Sequence, residues 1–450
     1  MQPFHMPGHK RNPAFLPAKN FMGGLLAYDL TEIPCMDNLH DPNGVLDDMN
    51  GRIAKIYGAG RSYFLTNGSS SGICAAICSI CSDGEKIMVA RNCHRSVFNA
   101  IVMAGAVPVY IQPKYLLDGS CGSILPDSVV ECFGKHNGIK AVVVTSPTYS
   151  GSVSDIKTIA DTTHCRGAQL IVDEAHGAHF PFHHMFPRGA LSCGADFVVN
   201  SLHKTLPAPS QCAVLHTQSG AADAKLLFYI GCMTTTSPSY MLMSAADHML
   251  FTLDNDQSLF VNYVSRLTEL RNKISSHAKT ETPALILRAR IQSNESGIFD
   301  TDISKLHIEI HSETSGEMLY KMMENNGIQL EMADVNSLLA VTSAADTKKM
   351  YDIFDNVYKK ISQAVKYAPQ KKIPPAPFPV VIMRPKEAVK KNMSPLPLKE
   401  CAGRISGQFI IEYPPGIPLL CPGELITDEI IDYAATIKIA KKNILVIYDD

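Results

Sequence analysis

Short, almost continuously apolar runs alternate along the first half of the chain with longer stretches in which small and apolar residues recur at helical spacing. The runs that we predict to be strands are 86–92, 107–112, 140–146, 169–175, 196–201 and 212–217. They are rich in Val and Ile, as strands buried on both faces usually are. Strands that alternate with helices predict an α/β fold with a mostly parallel sheet. Ligands bind to such sheets at the carboxyl ends of the strands.

The pattern changes after about residue 245. Residues 256–278 have the amphipathic pattern of a long helix, and the strand and helix signals that follow predict a small α+β domain. Residues 368–379 are rich in proline, which favours a linker or an extended arm. The segment 407–424, GQFIIEYPPGIPLLCPGE, predicts ordered loops beside a short strand. We therefore expect a major domain, a small α+β domain and a C-terminal domain, over residues 1–245, 246–367 and 368–450.

Composition and charge exclude several classes of function. The chain has 450 residues, of which 46% are hydrophobic, enough for a large core. The formal net charge is −2, from 41 basic and 43 acidic residues without a basic block, so we expect no nucleic-acid partner. The 13 cysteines are irregularly spaced, which favours a reducing compartment. No run of about 18 apolar residues predicts a membrane span, and we expect a cytoplasmic protein.

Two segments place reactive side chains directly after predicted strands. In VDEAHG, residues 172–177, Asp173 either caps the next element or is a carboxylate held beside a heterocycle. In NSLHKTLPAPSQ, residues 200–211, Lys204 follows the next strand and is either a solvated strand-end residue or a nucleophile. Pyridoxal 5′-phosphate needs both groups, because a carboxylate keeps its ring nitrogen protonated and a lysine binds its aldehyde.

Other polar residues fit the same kind of site less specifically. Gly68 and three serines open a predicted helix, where backbone N–H groups and hydroxyls can hold a phosphate, although an ordinary helix cap is equally consistent. No Gly-Lys-Ser/Thr follows, so this is not a Walker loop. His94 follows another predicted strand and is either structural or stacked on a cofactor ring.

Two groups of potential metal ligands favour packing over metal binding. Cys74, Cys78 and Cys81 are spaced to lie on one apolar helix face. The histidines in HGAHFPFHH, residues 176–184, lack the H-E-x-x-H spacing of a helical zinc site. We therefore expect no metal, and we expect the histidine segment to pack near an active site.

A series of motifs in order along the chain resembles one enzyme family. The motifs are FHMPGHK, DLTEIP, DNLHDPNG, TNGSSSG, RNCHRSVFNA, VDEAHGAHF, NSLHKTLPAPSQ, TTTSPSY, YPPGIPL and CPGE. Together they resemble the bacterial ornithine/lysine/arginine decarboxylases, which are fold-type I pyridoxal phosphate enzymes, in the short form without a wing domain. The resemblance covers nearly the whole chain. It implies a large cofactor domain with a mostly parallel sheet, a small α+β domain and a C-terminal domain.

The resemblance also implies roles for individual residues of the catalytic group. Lys204 would form the Schiff base with the cofactor, and Asp173 would pair with the pyridine nitrogen. His94 would stack on the ring. His203 would contact the phosphate or the reacting centre, and Lys204 or His203 would return a proton to the α-carbon.

The remaining cofactor contacts implied by the resemblance are mostly hydroxyls. Ser69, Ser70 and Ser201 would hold the phosphate. His176, in the same segment as Asp173, is expected to contact the cofactor. Thr235, in TTTSPSY, would reach the phosphate of a partner subunit, because family members work as homodimers or larger assemblies with shared active sites.

The reaction implied is α-decarboxylation of a basic amino acid, with arginine favoured over lysine and ornithine by analogy with the short forms. A basic substrate needs an acid for its distal charge, and Glu424 and Glu32 are the candidates. Two alternatives remain open. The first is another fold-type I enzyme such as an aminotransferase, for which Arg404 could bind the substrate carboxylate. The second is a non-catalytic scaffold, against which the intact set of Asp173, His203 and Lys204 argues.

Overall fold

The computed structural model describes residues 2–4, 10, 29–33, 36–220, 223–278, 282–292, 297–437, 439 and 443–448. Most of the motif FHMPGHK and the last residue of DLTEIP lie outside these described residues. The other motifs of the resemblance lie within them.

The strands are short and fall into several sheets. In chain order they are β1 Gln2–Phe4, β2 Arg61–Leu65, β3 Lys86–Ala90, β4 Val107–Ile111, β5 Ile139–Thr145, β6 Ser152–Val153, β7 Gln169–Asp173, β8 Phe197–Ser201, β9 Ala213–Thr217, β10 Leu285–Leu287, β11 Asp300–Thr301, β12 Lys305–Ile310, β13 Ile328–Leu330, β14 Met332–Ala333, β15 Ser337–Val341, β16 Met393–Pro397, β17 Ile405–Ser406, β18 Ile410–Glu412, β19 Ile417–Leu420 and β20 Asn443–Ile447.

The helices alternate with the strands over the first half of the chain. They are α1 Val45–Tyr57, α2 Ser69–Ile80, α3 Arg95–Ala104, α4 Pro126–Lys135, α5 Ile156–His164, α6 Leu202–Thr205, α7 Ala224–Met233, α8 Tyr240–Asn255, α9 Ser258–His277, α10 Gly316–Asn325, α11 Lys348–Ala364, α12 Pro385–Ala388 and α13 Asp428–Thr436. Short 3-10 turns lie at Phe180–Phe182, Leu191–Cys193 and Leu398–Glu400.

The central sheet has seven strands in the spatial order β2-β9-β8-β7-β5-β3-β4. The pairings from β4 through β3, β5 and β7 to β8 are parallel. Strand β9 runs antiparallel to both β8 and β2. All six predicted strands are present, and β2 closes one edge of the sheet without having been predicted. The α/β class and the mostly parallel sheet are therefore confirmed.

The second part of the chain forms a smaller antiparallel sheet in the order β10-β12-β15-β14. Helix α9 matches the predicted amphipathic helix, and its buried side chains recur every three or four residues from Phe260 to Ile274. The large hydrophobic core is continuous between the central sheet and this smaller sheet. The cavity described below lies between these layers.

The C-terminal part has its own small core, built around Ile410, Leu420, Ile430 and Ile444. Its segment YPPG joins β18 to β19, which pair as an antiparallel hairpin, where only one short strand was predicted. The predicted domain limits remain a prediction. The first, after residue 245, falls inside helix α8, and the second, at residue 368, falls after α11, where the chain becomes extended.

Candidate active site

A cavity of about 140 Å³ lies at the carboxyl ends of the parallel strands. One wall is lined by Thr145 and Asp173, which end β5 and β7, and by Asn92, two residues after β3. His307 and Leu339 of the small sheet line another, and the β18–β19 hairpin contributes the residues around YPPG. Three parts of the chain therefore enclose the space where the sheet topology predicts a ligand.

Lys204 and Asp173 line this cavity together because they follow neighbouring strands. Strands β7 and β8 pair in parallel with Asp173 opposite Val199, and Lys204 lies in the short helix α6 just after β8. Asp173 is 4% exposed. Its Oδ1 accepts a hydrogen bond from the Ala175 N–H, while its Oδ2 accepts none from the described residues. Burial lowers the pKa of Lys204, which Asp173 and Glu331 partly oppose.

His176 lies between the partly buried Lys204 and the buried Lys305. Its Nε2 is 3.1 Å from Lys204 Nζ, and its Nδ1 is 3.4 Å from Lys305 Nζ. Burial, followed by the charges of these lysines, lowers the pKa of His176 well below its usual range. Burial also lowers the pKa of Lys305 to about 8. The side chain of Lys305 fits here because Gly151, at φ +93°, has no Cβ, which would lie 2.9 Å from Lys305 Cγ.

His94 caps helix α3 and lines the same cavity. Its Nδ1 accepts a hydrogen bond from the Ser96 N–H at 3.2 Å and lies 2.9 Å from Ser96 Oγ. Burial lowers the pKa of His94. Gly416 of YPPG, at φ +94°, packs so closely that a Cβ would lie 2.9 Å from His94 Cδ2. The hairpin thus holds the imidazole in place, and only glycine fits at this position.

The serines of the predicted phosphate site meet at the start of α2. Gly68 precedes the helix at φ +78°, and the Ser201 hydroxyl donates a hydrogen bond to Ser69 Oγ at 2.9 Å. Ser201 is fully buried and Ser70 is exposed. The exposed Thr235 is nearby, since its N–H donates to Asn67 Oδ1 at 3.4 Å. The helix start therefore gathers hydroxyls, while their contacts with a phosphate remain predictions.

The serines at the start of α2, Ser201 and Thr235 do not line the cavity, and four further sequence candidates also lie outside its lining. His203 Nδ1 lies 3.1 Å from the Cys212 carbonyl oxygen. Glu424 is 1% exposed, and its Oε2 is 3.1 Å from Arg91 Nη2 and accepts from the Cys421 N–H. The expectation that Glu424 binds substrate is therefore corrected, because its charge is used by Arg91. Glu32 and Arg404 are exposed and do not line the cavity of the single chain, so their substrate contacts stay predictions.

The sequence did not predict several polar residues that line the cavity. Tyr149 packs edge-on against His176, with ring centroids 5.0 Å apart. Glu412, Asp334 and His307 contribute two acids and an imidazole. The only sequence signal was that Glu412 directly precedes YPPG.

Within the part of the chain that the structure describes, no group of three or more His, Cys, Asp or Glu side chains could hold a metal ion. No helix of that part is long and apolar enough to cross a membrane.

Family models match the chain in two segments. The Orn/Lys/Arg decarboxylase major domain matches residues 1–308, and the C-terminal domain of the same family matches residues 369–444. The chain belongs to the Orn/Lys/Arg decarboxylase family. The resemblance of the motifs is thereby confirmed. Within this family, an arginine decarboxylase from Halalkalibacterium halodurans is 31% identical over 441 residues, which cover 96% of this chain and 89% of the relative.

Solved structures of decarboxylases and related enzymes share the fold. The constitutive lysine decarboxylase of E. coli superposes with a TM-score of 0.81 at 19% identity, covering 99% of this chain and 79% of that one. A structure of SPT with its PLP internal aldimine superposes with a TM-score of 0.59 at 14% identity, covering 81% of this chain and 87% of that one. The fold-type I architecture of this Orn/Lys/Arg decarboxylase family member is thus confirmed.

Proposed function

We propose that this protein is a pyridoxal 5′-phosphate-dependent α-decarboxylase that converts arginine to agmatine and CO2. The observation that carries the proposal is the pair of Lys204 and Asp173, brought together in one cavity at neighbouring strand ends of a decarboxylase-family fold. A partly buried lysine and a buried carboxylate in one cavity are the two protein groups that this cofactor chemistry requires.

The residues present fit the cofactor. Lys204 supplies the amine, and Asp173 Oδ2 has no hydrogen bond from the described residues and would keep the pyridine nitrogen protonated. Ser69, Ser201 and the first N–H groups of α2 would hold the phosphate. When bound, the cofactor supplies an electron sink for the electron pair left behind by CO2.

The protein's own groups would handle the protons. Burial lowers the pKa of Lys204, against the opposing charges of Asp173 and Glu331, and a lower pKa favours the neutral, nucleophilic amine. After CO2 leaves, a proton must be returned to the α-carbon. Lys204 Nζ, 3.1 Å from His176 Nε2, lies in the cavity, whereas His203 does not line it. We therefore favour Lys204 over His203 as the proton donor.

The substrate assignment rests on the relatives. The arginine decarboxylase cited above is 31% identical over nearly the whole chain, whereas the E. coli constitutive lysine decarboxylase is 23% identical over 526 residues. We propose arginine as the substrate on this difference. We also propose a homodimer or larger assembly in which Thr235, exposed in the single chain, approaches the phosphate of a neighbouring subunit.

The test is a product assay with the cofactor-loaded protein. Arginine, lysine and ornithine would be supplied separately, and CO2 and the amine product would be measured. Agmatine formed from arginine alone is the expected result. Cadaverine or putrescine would overturn the substrate and keep the reaction, while a keto acid without CO2 would identify an aminotransferase instead.

A further inference from the structure

Two acids that no sequence motif marked share the wall of the cavity. Glu412 is the last residue of β18 in the C-terminal hairpin, and Asp334 directly follows β14 in the small sheet. Both are partly buried. They come from different parts of the chain, and neither belongs to the central sheet that carries Lys204 and Asp173. The cavity therefore has a second polar region besides the one around the lysine.

The described residues supply these acids with no lysine or arginine partner. Neither forms an ion pair with any residue that the structure describes. The Asp334 carboxylate accepts a hydrogen bond at Oδ1 from the N–H of the neighbouring Val335 at 2.7 Å. Burial raises the pKa of Glu412 to about 7, and the charge of Asp334 adds to this effect. Burial also raises the pKa of Asp334. A cation bound in the cavity would favour the ionised form of both acids.

A third group at the same wall gives independent evidence for a polar ligand. His307 is 3% exposed and lines the cavity, and its Nε2 lies 2.7 Å from Asp118 Oδ2. Burial and the nearby Arg288 lower the pKa of His307, and the hydrogen bond to Asp118 opposes this shift. In the neutral ring, Nε2–H donates to Asp118. Its Nδ1 is then an acceptor, and it is buried without a hydrogen-bond partner among the described residues. A ligand with several N–H donors could satisfy both this buried Nδ1 acceptor and the two acids beside it.

We propose that Glu412, Asp334 and His307 Nδ1 form the subsite that binds the guanidinium of the substrate side chain. The proposal rests on the proposed decarboxylase function and assigns its substrate specificity. A guanidinium presents five N–H donors in a fixed plane, which suits two carboxylates and an imidazole nitrogen better than a single ammonium does. The acids predicted from the sequence do not compete for this role, because Glu424 pairs with Arg91 and Glu32 does not line the cavity.

The experiment compares Glu412→Gln and Asp334→Asn with the wild type as cofactor-loaded proteins. Each exchange removes the charge and keeps the size. We expect KM for arginine and Kd for agmatine, the latter measured by calorimetry, to rise about 10- to 100-fold, as loss of a charge-assisted hydrogen bond implies. We expect kcat to change less than about threefold, because the reacting atoms are untouched. Glu400→Gln is the matched control, since Glu400 is exposed in the same C-terminal part.

Further measurements separate this proposal from folding effects and from the proposed function. The visible absorption of the bound cofactor and Tm should match the wild type, and Glu412→Asp, which keeps the charge, should recover part of the agmatine affinity. KM and Kd within twofold of the wild type in both Glu412→Gln and Asp334→Asn would overturn the subsite. If the wild type releases CO2 from no amino acid, the proposed function fails. Agmatine binding then still decides the subsite: affinity lost in Glu412→Gln supports it, and no binding to the wild type overturns it.

Discussion

The ion pair between Arg91 and Glu424 joins the major part of the chain to the C-terminal part, and its removal gives a sharp test of the structure. Both side chains are at most 5% exposed, with Nη2 and Oε2 3.1 Å apart. Arg91 also donates to the carbonyl oxygens of Pro418 and Leu419. Its guanidinium lies 5.2 Å from the ring centroids of two aromatic residues. Because these contacts surround the guanidinium, Arg91 cannot rotate towards solvent when the Glu424 carboxylate is removed.

The cost of Glu424→Gln follows from this geometry. At 3.1 Å and an effective dielectric constant of about 20, the attraction between the two charges is about 5 kcal/mol. Loss of one partner of a buried pair typically costs about 3–5 kcal/mol. The glutamine oxygen can still accept from Arg91 and from the Cys421 N–H, and each retained hydrogen bond offsets about 1 kcal/mol. We therefore expect the free energy of unfolding to fall by about 1–3 kcal/mol.

The assay is urea denaturation of the cofactor-loaded protein, followed by circular dichroism, with Glu400→Gln as the exposed control for the same chemical change. KM for arginine would be measured without urea, at a temperature at which both variants are folded. A loss of stability with unchanged KM is expected. A loss below about 1 kcal/mol would refute the electrostatic reasoning, and a large rise in KM without a loss of stability would restore Glu424 as a substrate ligand.

Three further outcomes follow from the site. Lys204→Ala is expected to abolish CO2 release and the visible absorption of lysine-bound pyridoxal, and an unchanged spectrum would disprove its role. Lys305→Met removes a positive charge 3.4 Å from His176, which makes His176 easier to protonate. The acid limb of the pH–kcat profile should therefore move to higher pH, and an unshifted limb would count against an effect of Lys305 on His176. KM for arginine should rise as pH falls below about 7, where Glu412 gains a proton and loses its charge, and a KM constant from pH 8 to pH 6 would contradict the subsite. The other groups that interact with this carboxyl are Asp334, Tyr433, Tyr115 and Cys121.

The sequence was sufficient to predict the part of the site that lies at the strand ends of the central sheet. Strands such as β5 and β7 are apolar on both faces, so their runs stand out from the helices around them. Residues at the carboxyl ends of neighbouring parallel strands lie close together, so the sequence predicts Lys204 near Asp173. Strand β2 was missed because it lies at the edge of the sheet, where its run RSYFL begins with two polar residues.

The part of the site built by loops could not be predicted. Glu412 and Asp334 are distant in sequence and meet only because the hairpin and the small sheet close over the same cavity. The sequence around Glu424 gives no indication that this acid pairs with Arg91. The two residues are far apart in the chain and are brought together by tertiary packing. Lys305 lies in a strand pattern that gives no sign that its amine reaches His176. Burial and pairing of charges are properties of the folded chain.

The distribution of charge in the cavity gives a physical reason for the orientation of a basic amino acid. The wall formed by the central sheet carries Lys204 and His176, with Lys305 behind them, whereas the region formed by the other two parts carries Glu412 and Asp334. An α-carboxylate would be repelled by the two acids, and a guanidinium would be repelled by the lysines. A substrate that carries both groups therefore has one favourable direction, with its α-carbon at Lys204. A neutral amino acid would lose this alignment, so selectivity for a cationic side chain and correct placement of the reacting carbon come from the same pair of charged regions.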